Sequence, residues 1–171
     1  IASCLVGSEM CIRDSHSYMF VSKGGELHDS KSYNYAHVGV YFGILGLLTG
    51  MFWAKYTWGT FWTNDPKLNG SAIGLLIYFG YFILRSSIED ESKKGKISSV
   101  YNVFAFSMLI PLIFILPRLT DSLHPGNGGN PGFNVYDMNS QLRLVFYPAV
   151  TGFIFLGLWI SDLRFKMLKL K

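Results

Sequence analysis

The sequence predicts an all-α, polytopic integral membrane protein with four transmembrane helices. Three observations carry that prediction. Half of the 171 residues are hydrophobic and only 15% are charged, against about 25% charged residues in soluble domains. Mean hydropathy is positive, at +0.27. The apolar residues are also gathered into four runs that approach the roughly 20 residues needed to cross a hydrocarbon core of about 30 Å. As the core of a soluble helical protein, four such runs in so short a chain would leave too little polar face for water.

The expected spans cover about 36–55, 70–86, 99–118 and 144–162. The first contains AHVGVYFGILGLLTGMFWA. Its Gly39, Gly43, Gly46 and Gly50 fall on one helical face, where small residues let membrane helices approach closely. The second contains SAIGLLIYFGYFIL and is short until its flanks are counted. The third, VYNVFAFSMLIPLIFIL, includes Pro111, which lacks an N–H and is expected to kink the helix. The fourth is LVFYPAVTGFIFLGLWI.

Ahead of the first span, residues 1–15 (IASCLVGSEMCIRDS) have no initiating Met and no clear period. They are too short to span, and no basic start precedes an apolar core as in a signal peptide. They read as a non-native leader joined to a truncated gene. Cys4 and Cys11 lie here; their spacing fits neither covalent haem attachment nor a zinc pair, and they receive no role. Residues 16–35 are expected to hold the end of an earlier span and a loop, and 36–171 the transmembrane domain.

Orientation follows from Lys and Arg. The side with the N-terminal lead, the 85–96 loop and the C-terminal tail carries Lys23, Lys31, Arg85, Lys93, Lys94, Lys96, Arg164, Lys166, Lys169 and Lys171. The other side carries Lys55, Lys67, Arg118 and Arg143. The first side is therefore expected in the cytoplasm. The net charge of +4 reflects this topology rather than a nucleic-acid surface.

Between the first two spans, on the outward side, stands WGTFWTNDPKLN, Trp58 to Asn69. An aromatic belt at headgroup level accounts for Trp53 and Tyr56. It does not call for a Gly and an Asp among the rings. Asp65 precedes Pro66, which holds it extended and leaves its carboxylate placed to accept backbone N–H groups, as in turns. The outward loop 119–143 carries Pro125, Gly126, Gly128, Gly129, Pro131 and Gly132, which forbid long regular structure. A loop of this length is usually functional or disordered. His124 opens it, just past the third span. Composition and spacing leave two readings open: a membrane belt beside an ordinary boundary His, or an aromatic shelf with a metal-binding imidazole. The second would suit haem, with its apolar ring, its iron seeking an axial imidazole and its anionic propionates.

WGTFWTNDPKLN resembles the tryptophan-rich "WWD" signature of the cytochrome c assembly family, W-G-x-x-W-x-W-D-x-R-L-T. The flanks LLTGMFWAKYTWGT and LLIYFGYFILRSSI and the later SLHPG agree with it, and the resemblance covers about residues 17–171. It implies a bundle of six helices, of which four are left here. It implies an inner (cytoplasmic) membrane location, and haem b bound transiently and non-covalently at the periplasmic face between two His ligands. It implies delivery of that haem to a periplasmic haem chaperone during c-type cytochrome biogenesis, and partnership with other membrane subunits of the maturation complex, including its ABC-type transporter. Trp58, Gly59, Trp62, Asp65 and Leu68 match the signature, and His124 matches the second axial ligand. Asn64 stands for the third Trp, Lys67 for Arg and Asn69 for Thr. Phe61 is expected to replace part of the lost ring area. Lys67 keeps the charge without the planar fork and is the expected propionate partner, with Arg118 or Arg143 behind it. No residue matches the first His ligand. His37 lies 21 residues before Trp58, roughly 31 Å along a helix, so it cannot share an iron with His124; His16 and His28 lie on the same wrong side.

Two rivals to haem carriage without catalysis are a haem-attachment synthetase of the same superfamily and a non-haem transporter. A synthetase calls for more spans, more His and a larger outward domain. A transporter calls for ionisable groups within its spans, and these four runs hold none at mid-depth.

Overall fold

A computed structural model describes residues 2–120, 123 and 139–170. Among the described residues, six α-helices and one π-helical turn follow one another: α1 (Ala2–Lys23), α2 (Glu26–Trp58), α3 (Pro66–Ser87), α4 (Glu91–Ile110), the π turn (Pro111–Ile115), α5 (Leu116–Leu119) and α6 (Ser140–Lys169). No strand occurs among the described residues. Four stretches among the described residues are long and apolar enough to cross a membrane: Glu26–Trp58, Pro66–Ser87, Lys93–Ile113 and Ser140–Lys169. Each contains most of one span expected from the sequence, so the chain is an all-α polytopic membrane protein.

Ahead of the first span the chain is helical as well. Residues 2–15 and 16–23 form one helix, α1, with Met10, Arg13, Asp14 and Ser17 buried. Gly24 and Gly25, both at positive φ (74° and 99°), turn the chain into α2. That helix therefore begins ten residues before Ala36. Arg13 pairs with Asp14, and its guanidinium lies 4.1 Å from the centre of the Tyr78 ring on α3. Ionisable groups thus pack inside the bundle, supplied by α1 rather than by any of the four apolar runs.

The core joins Met10 of α1, Val40 of α2, Tyr78 of α3, and Ala105 and Leu109 of α4. A polar knot fastens three of these helices beside it. The Ser17 and Ser32 hydroxyls lie 2.7 Å apart, and Asn102 Nδ2 donates to both, at 3.0 and 3.2 Å. All three residues are buried, where an amide or hydroxyl without a partner would be costly.

Helices approach closely at three glycines of α3. A Cβ at Gly70 would come within 2.5 Å of the Leu112 carbonyl oxygen, one at Gly74 within 2.9 Å of Leu109, and one at Gly80 within 2.6 Å of the Tyr101 hydroxyl. Gly39 is buried on α2, but Gly50 opens onto free space. The Leu112 carbonyl belongs to the π turn. Pro111 starts that turn because it cannot donate to the preceding ladder; at its end the Leu116 N–H reaches back five residues to the Pro111 carbonyl. The expected disturbance at Pro111 is thus a widened turn seated on Gly70, an arrangement typical of π-bulges.

The helices alternate, so the bundle has two distinct ends. One gathers the C-terminus of α2, the N-terminus of α3 and the segment after α5. The other gathers the N-terminus of α2, the α3–α4 turn and the C-terminus of α6. Arg164 Nε donates to Asn34 Oδ1 at 3.0 Å there, and Phe42 meets Phe153 nearer the middle, with ring centres 6.5 Å apart.

Candidate functional site

The tryptophan-rich stretch forms the first of these ends. Trp58 is the last residue of α2, and Gly59 stops the helix. Its φ of 82° is left-handed, and its N–H closes onto the Lys55 carbonyl at 3.1 Å. This is the usual task of a glycine past a helix end, so Gly59 shapes the site by terminating α2. Phe61 and Trp62 follow in the open segment, 47% and 43% exposed.

The rings are arranged as edge-to-face pairs. Trp53 meets Trp58 with centres 5.0 Å apart at 77°, and Phe52 meets Phe61 at 5.9 Å and 80°. Trp53, expected to stand apart as a belt residue, therefore braces the motif. Tyr56, 89% exposed, keeps the belt description. Lys55 was missed by the sequence reading: its Nζ donates to the Gly59 carbonyl at 2.9 Å and lies 5.5 Å from the Phe61 ring centre. The spacing of four between Lys55 and Gly59 was the signal available, since a Lys in the last turn reaches the carbonyls freed at a helix C-terminus.

Asp65 organises the end. It is 1% exposed and extended, with φ −96° and ψ 133°. Oδ1 accepts the backbone N–H groups of Lys67 and Leu68 at 2.9 and 3.3 Å, capping α3 with Pro66 in its first turn. Two orphan donors are satisfied in this way. Oδ2 accepts a third N–H, from Leu123, at 2.6 Å. One carboxylate thus ties the tryptophan-rich segment to the chain that follows α5. The capping contacts agree with the sequence expectation; the bond across 58 residues had no local signature.

Two positions that depart from the signature compensate each other. Asn69 Nδ2 donates to Asn64 Oδ1 at 2.7 Å, closing the turn around Asp65 where the signature has Trp and Thr. Lys67 is half-buried in the first turn of α3. Arg143 lies in the first turn of α6 at this same end. His124 and the side chain of Arg118 lie outside the described residues. The structure thus brings Trp58, Gly59, Phe61, Trp62, Asp65 and Lys67 together, and it brings Leu123, the neighbour of His124, onto Asp65. Among the described residues no three His, Cys, Asp or Glu side chains cluster as a metal site. His16 and His28 meet each other at the opposite end, 3.2 Å apart.

A family model described as cytochrome C assembly protein matches residues 16–124, a span that takes in the whole motif and ends on His124. The chain is 26% identical over 140 residues to heme exporter protein C of Haemophilus influenzae, covering 80% of this chain and 54% of that protein. It is 26% identical over 135 residues to heme exporter protein C of Bradyrhizobium diazoefficiens, with 78% and 51% covered. It is 32% identical over 96 residues to the Rhodobacter capsulatus protein of the same name, with 54% and 38% covered. The chain spans about half the length of the curated relatives it matches.

Proposed function

The chain belongs to the cytochrome c assembly protein family, and from that premise we propose that it carries haem for c-type cytochrome biogenesis without itself making covalent bonds. Haem b is held non-covalently at the outer, periplasmic face of the inner membrane and passed to a periplasmic haem chaperone, in company with the other membrane subunits of the maturation complex and its ABC-type transporter. The relatives' name, heme exporter protein C, supports haem as the cargo.

The observation that carries this reading is the bond from the Leu123 N–H to Asp65 Oδ2. It anchors the residue next to His124 on the same carboxylate that presents the aromatic rings. An imidazole there would supply the axial ligand that haem iron takes from His in many proteins. The half-exposed side chains of Phe61 and Trp62 suit the porphyrin, and Lys55, Lys67 and Arg143 are cations at the same end for its propionates. Asp65 does not ligate iron in this scheme: haem iron is held by His, Cys, Met or Tyr, and this carboxylate caps α3 and holds Leu123. Gly59 acts through helix termination.

His124→Ala in the full-length gene tests the assignment. The variant is expected to insert normally and to lose most of the haem that co-purifies with the wild type, read from the Soret and reduced α bands at equal expression. Unchanged spectra and haem yield would remove His124 from the site. Orientation has its own test. An impermeant thiol reagent applied to intact cells, or to spheroplasts, is expected to label a cysteine placed at position 127 and spare one at position 92; the reverse pattern would overturn the topology.

A further inference from the structure

The seam between α1 and α2 carries a pair of histidines that the motif does not use. His16 on α1 and His28 on α2 bring their Nδ1 atoms within 3.2 Å. The ring centres are 5.5 Å apart, which is that separation plus about one ring radius at each end. The two nitrogens therefore face each other head-on, as in an N–H···N hydrogen bond. A chelated ion would instead draw both lone pairs to a point off the line between them.

Such a bond needs one donor and one acceptor. A neutral imidazole offers an N–H on one nitrogen and a lone pair on the other. The pair is thus satisfied with both rings neutral, or with one of them cationic. When both rings are cationic, two N–H groups and two like charges face each other, and the bond is lost. Tyr35 of α2 stacks on His16, with ring centres 5.7 Å apart at 10°, and holds that ring in place.

The surroundings oppose a second proton. Burial, then the charge of Lys31, then His28, hold the His16 imidazole, which lies ahead of the four spans, below its usual pKa. Lys31 stands 5.9 Å from the centre of the Phe165 ring on α6, and Lys169 stands 4.7 Å from the same ring. The nearby carboxylates are engaged with other cations: Asp14 with Arg13 on α1, Asp29 of α2 with Arg85 of α3, and Glu91 with Lys94 on α4. Glu26 opens α2, two residues before His28.

Next along the seam, the Ser17 and Ser32 hydroxyls meet, and Asn102 of α4 donates to both. The two helices are joined through Gly24 and Gly25, both at positive φ, residues with the widest backbone freedom. The seam is held by side-chain bonds and ends in a turn that can bend.

We propose that His16 and His28 form a proton-operated latch on the α1–α2 seam, closed while at most one ring is charged and released when both are. It lies at the end of the bundle opposite the motif and works independently of haem. The folded His16 holds its proton less tightly than a free imidazole does. Closure is therefore complete above about pH 6.5 and is lost as pH falls below that value.

Pulsed electron-spin distance measurement on the purified full-length protein in detergent tests the latch. All native cysteines are replaced by Ser, and spin labels are attached at Tyr18→Cys and Leu27→Cys, exposed positions beside the pair. A single short distance is expected at about pH 8, with a second, longer population growing toward about pH 5, the range over which His changes charge. The variant His16→Gln/His28→Gln can still hydrogen-bond but cannot take up a proton, and should stay closed throughout. Wild-type distances that do not change with pH would overturn the latch, whatever the variant does. A variant that opens with acid as the wild type does would also overturn it, because other groups would then drive the opening. Melting temperature gives a second measure: acid should lower it more in the wild type than in the variant, and equal losses would count against the pair.

Discussion

The two ends of the bundle use charge in opposite ways. At the motif end one buried carboxylate, Asp65, faces three backbone N–H groups, while the aromatic rings stand half in the open. At the other end the carboxylates face side-chain cations: Asp29 holds Arg85, Glu91 holds Lys94, and Asp162 holds Lys166 at 2.7 Å. There the aromatic rings turn inward around His37. The first arrangement fixes the course of the backbone and leaves side chains exposed. The second fixes side chains and leaves the backbone to regular helix. A surface that must present a shape to a visiting molecule is served by the first; a helix end that must stay near one membrane face is served by the second.

The comparison breaks most severely at Asp65. Asp65→Ala removes the acceptor of all three N–H groups. Loss of the helix cap alone costs about 1 kcal/mol, and the bond from Leu123 to a charged acceptor adds about 1.5–3 kcal/mol. Haem retention, measured as Soret absorbance per inserted protein, is expected to fall roughly tenfold or more, since about 1.4 kcal/mol is a factor of ten. Asp65→Asn retains one carbonyl oxygen for the cap and should fall between the alanine variant and the wild type. Equal retention by all three proteins would show that the tie to Leu123 does not position the site.

Next in size is the aromatic surface. Stacking on an aromatic ring is worth about 1–3 kcal/mol for a nucleic-acid base, and a porphyrin face is expected on the same scale. Trp62→Ala should therefore lower haem retention several-fold or more while the protein still inserts. Trp53→Ala should cause a smaller loss by freeing Trp58. If Trp62→Ala and Tyr56→Ala behave alike at equal expression, the rings form a membrane belt and nothing more.

At the opposite end, Asp29→Asn should leave motif-dependent haem retention intact and lower thermal stability. Both partners of the Arg85–Asp29 pair are mostly buried, with side-chain exposures of 14% and 18%. The loss is expected at about 1.5–3 kcal/mol, the scale of a hydrogen bond to a charged group. The smallest effect belongs to Tyr56→Ala, within about 0.5 kcal/mol of the wild type, because the ring is almost wholly exposed.

The sequence by itself determined the membrane class, the four apolar spans and the outline of the motif. Those features are local: a run of apolar residues is long enough or it is not, and Asp-Pro at a span's start caps a helix wherever it occurs. It also located the irregularity at Pro111, since a missing N–H is a property of one residue. Tertiary structure decided what depends on partners distant in the chain. It tied Asp65 to Leu123, set Trp53 against Trp58, seated the π turn on Gly70 and packed α1 against α2 and α4. It also brought Gly70, Gly74 and Gly80 of α3 close to the π turn and α4. The physical reason is that periodicity and composition report what a residue tends to bury. Which group meets it there depends on how helices far apart in sequence come to lie side by side.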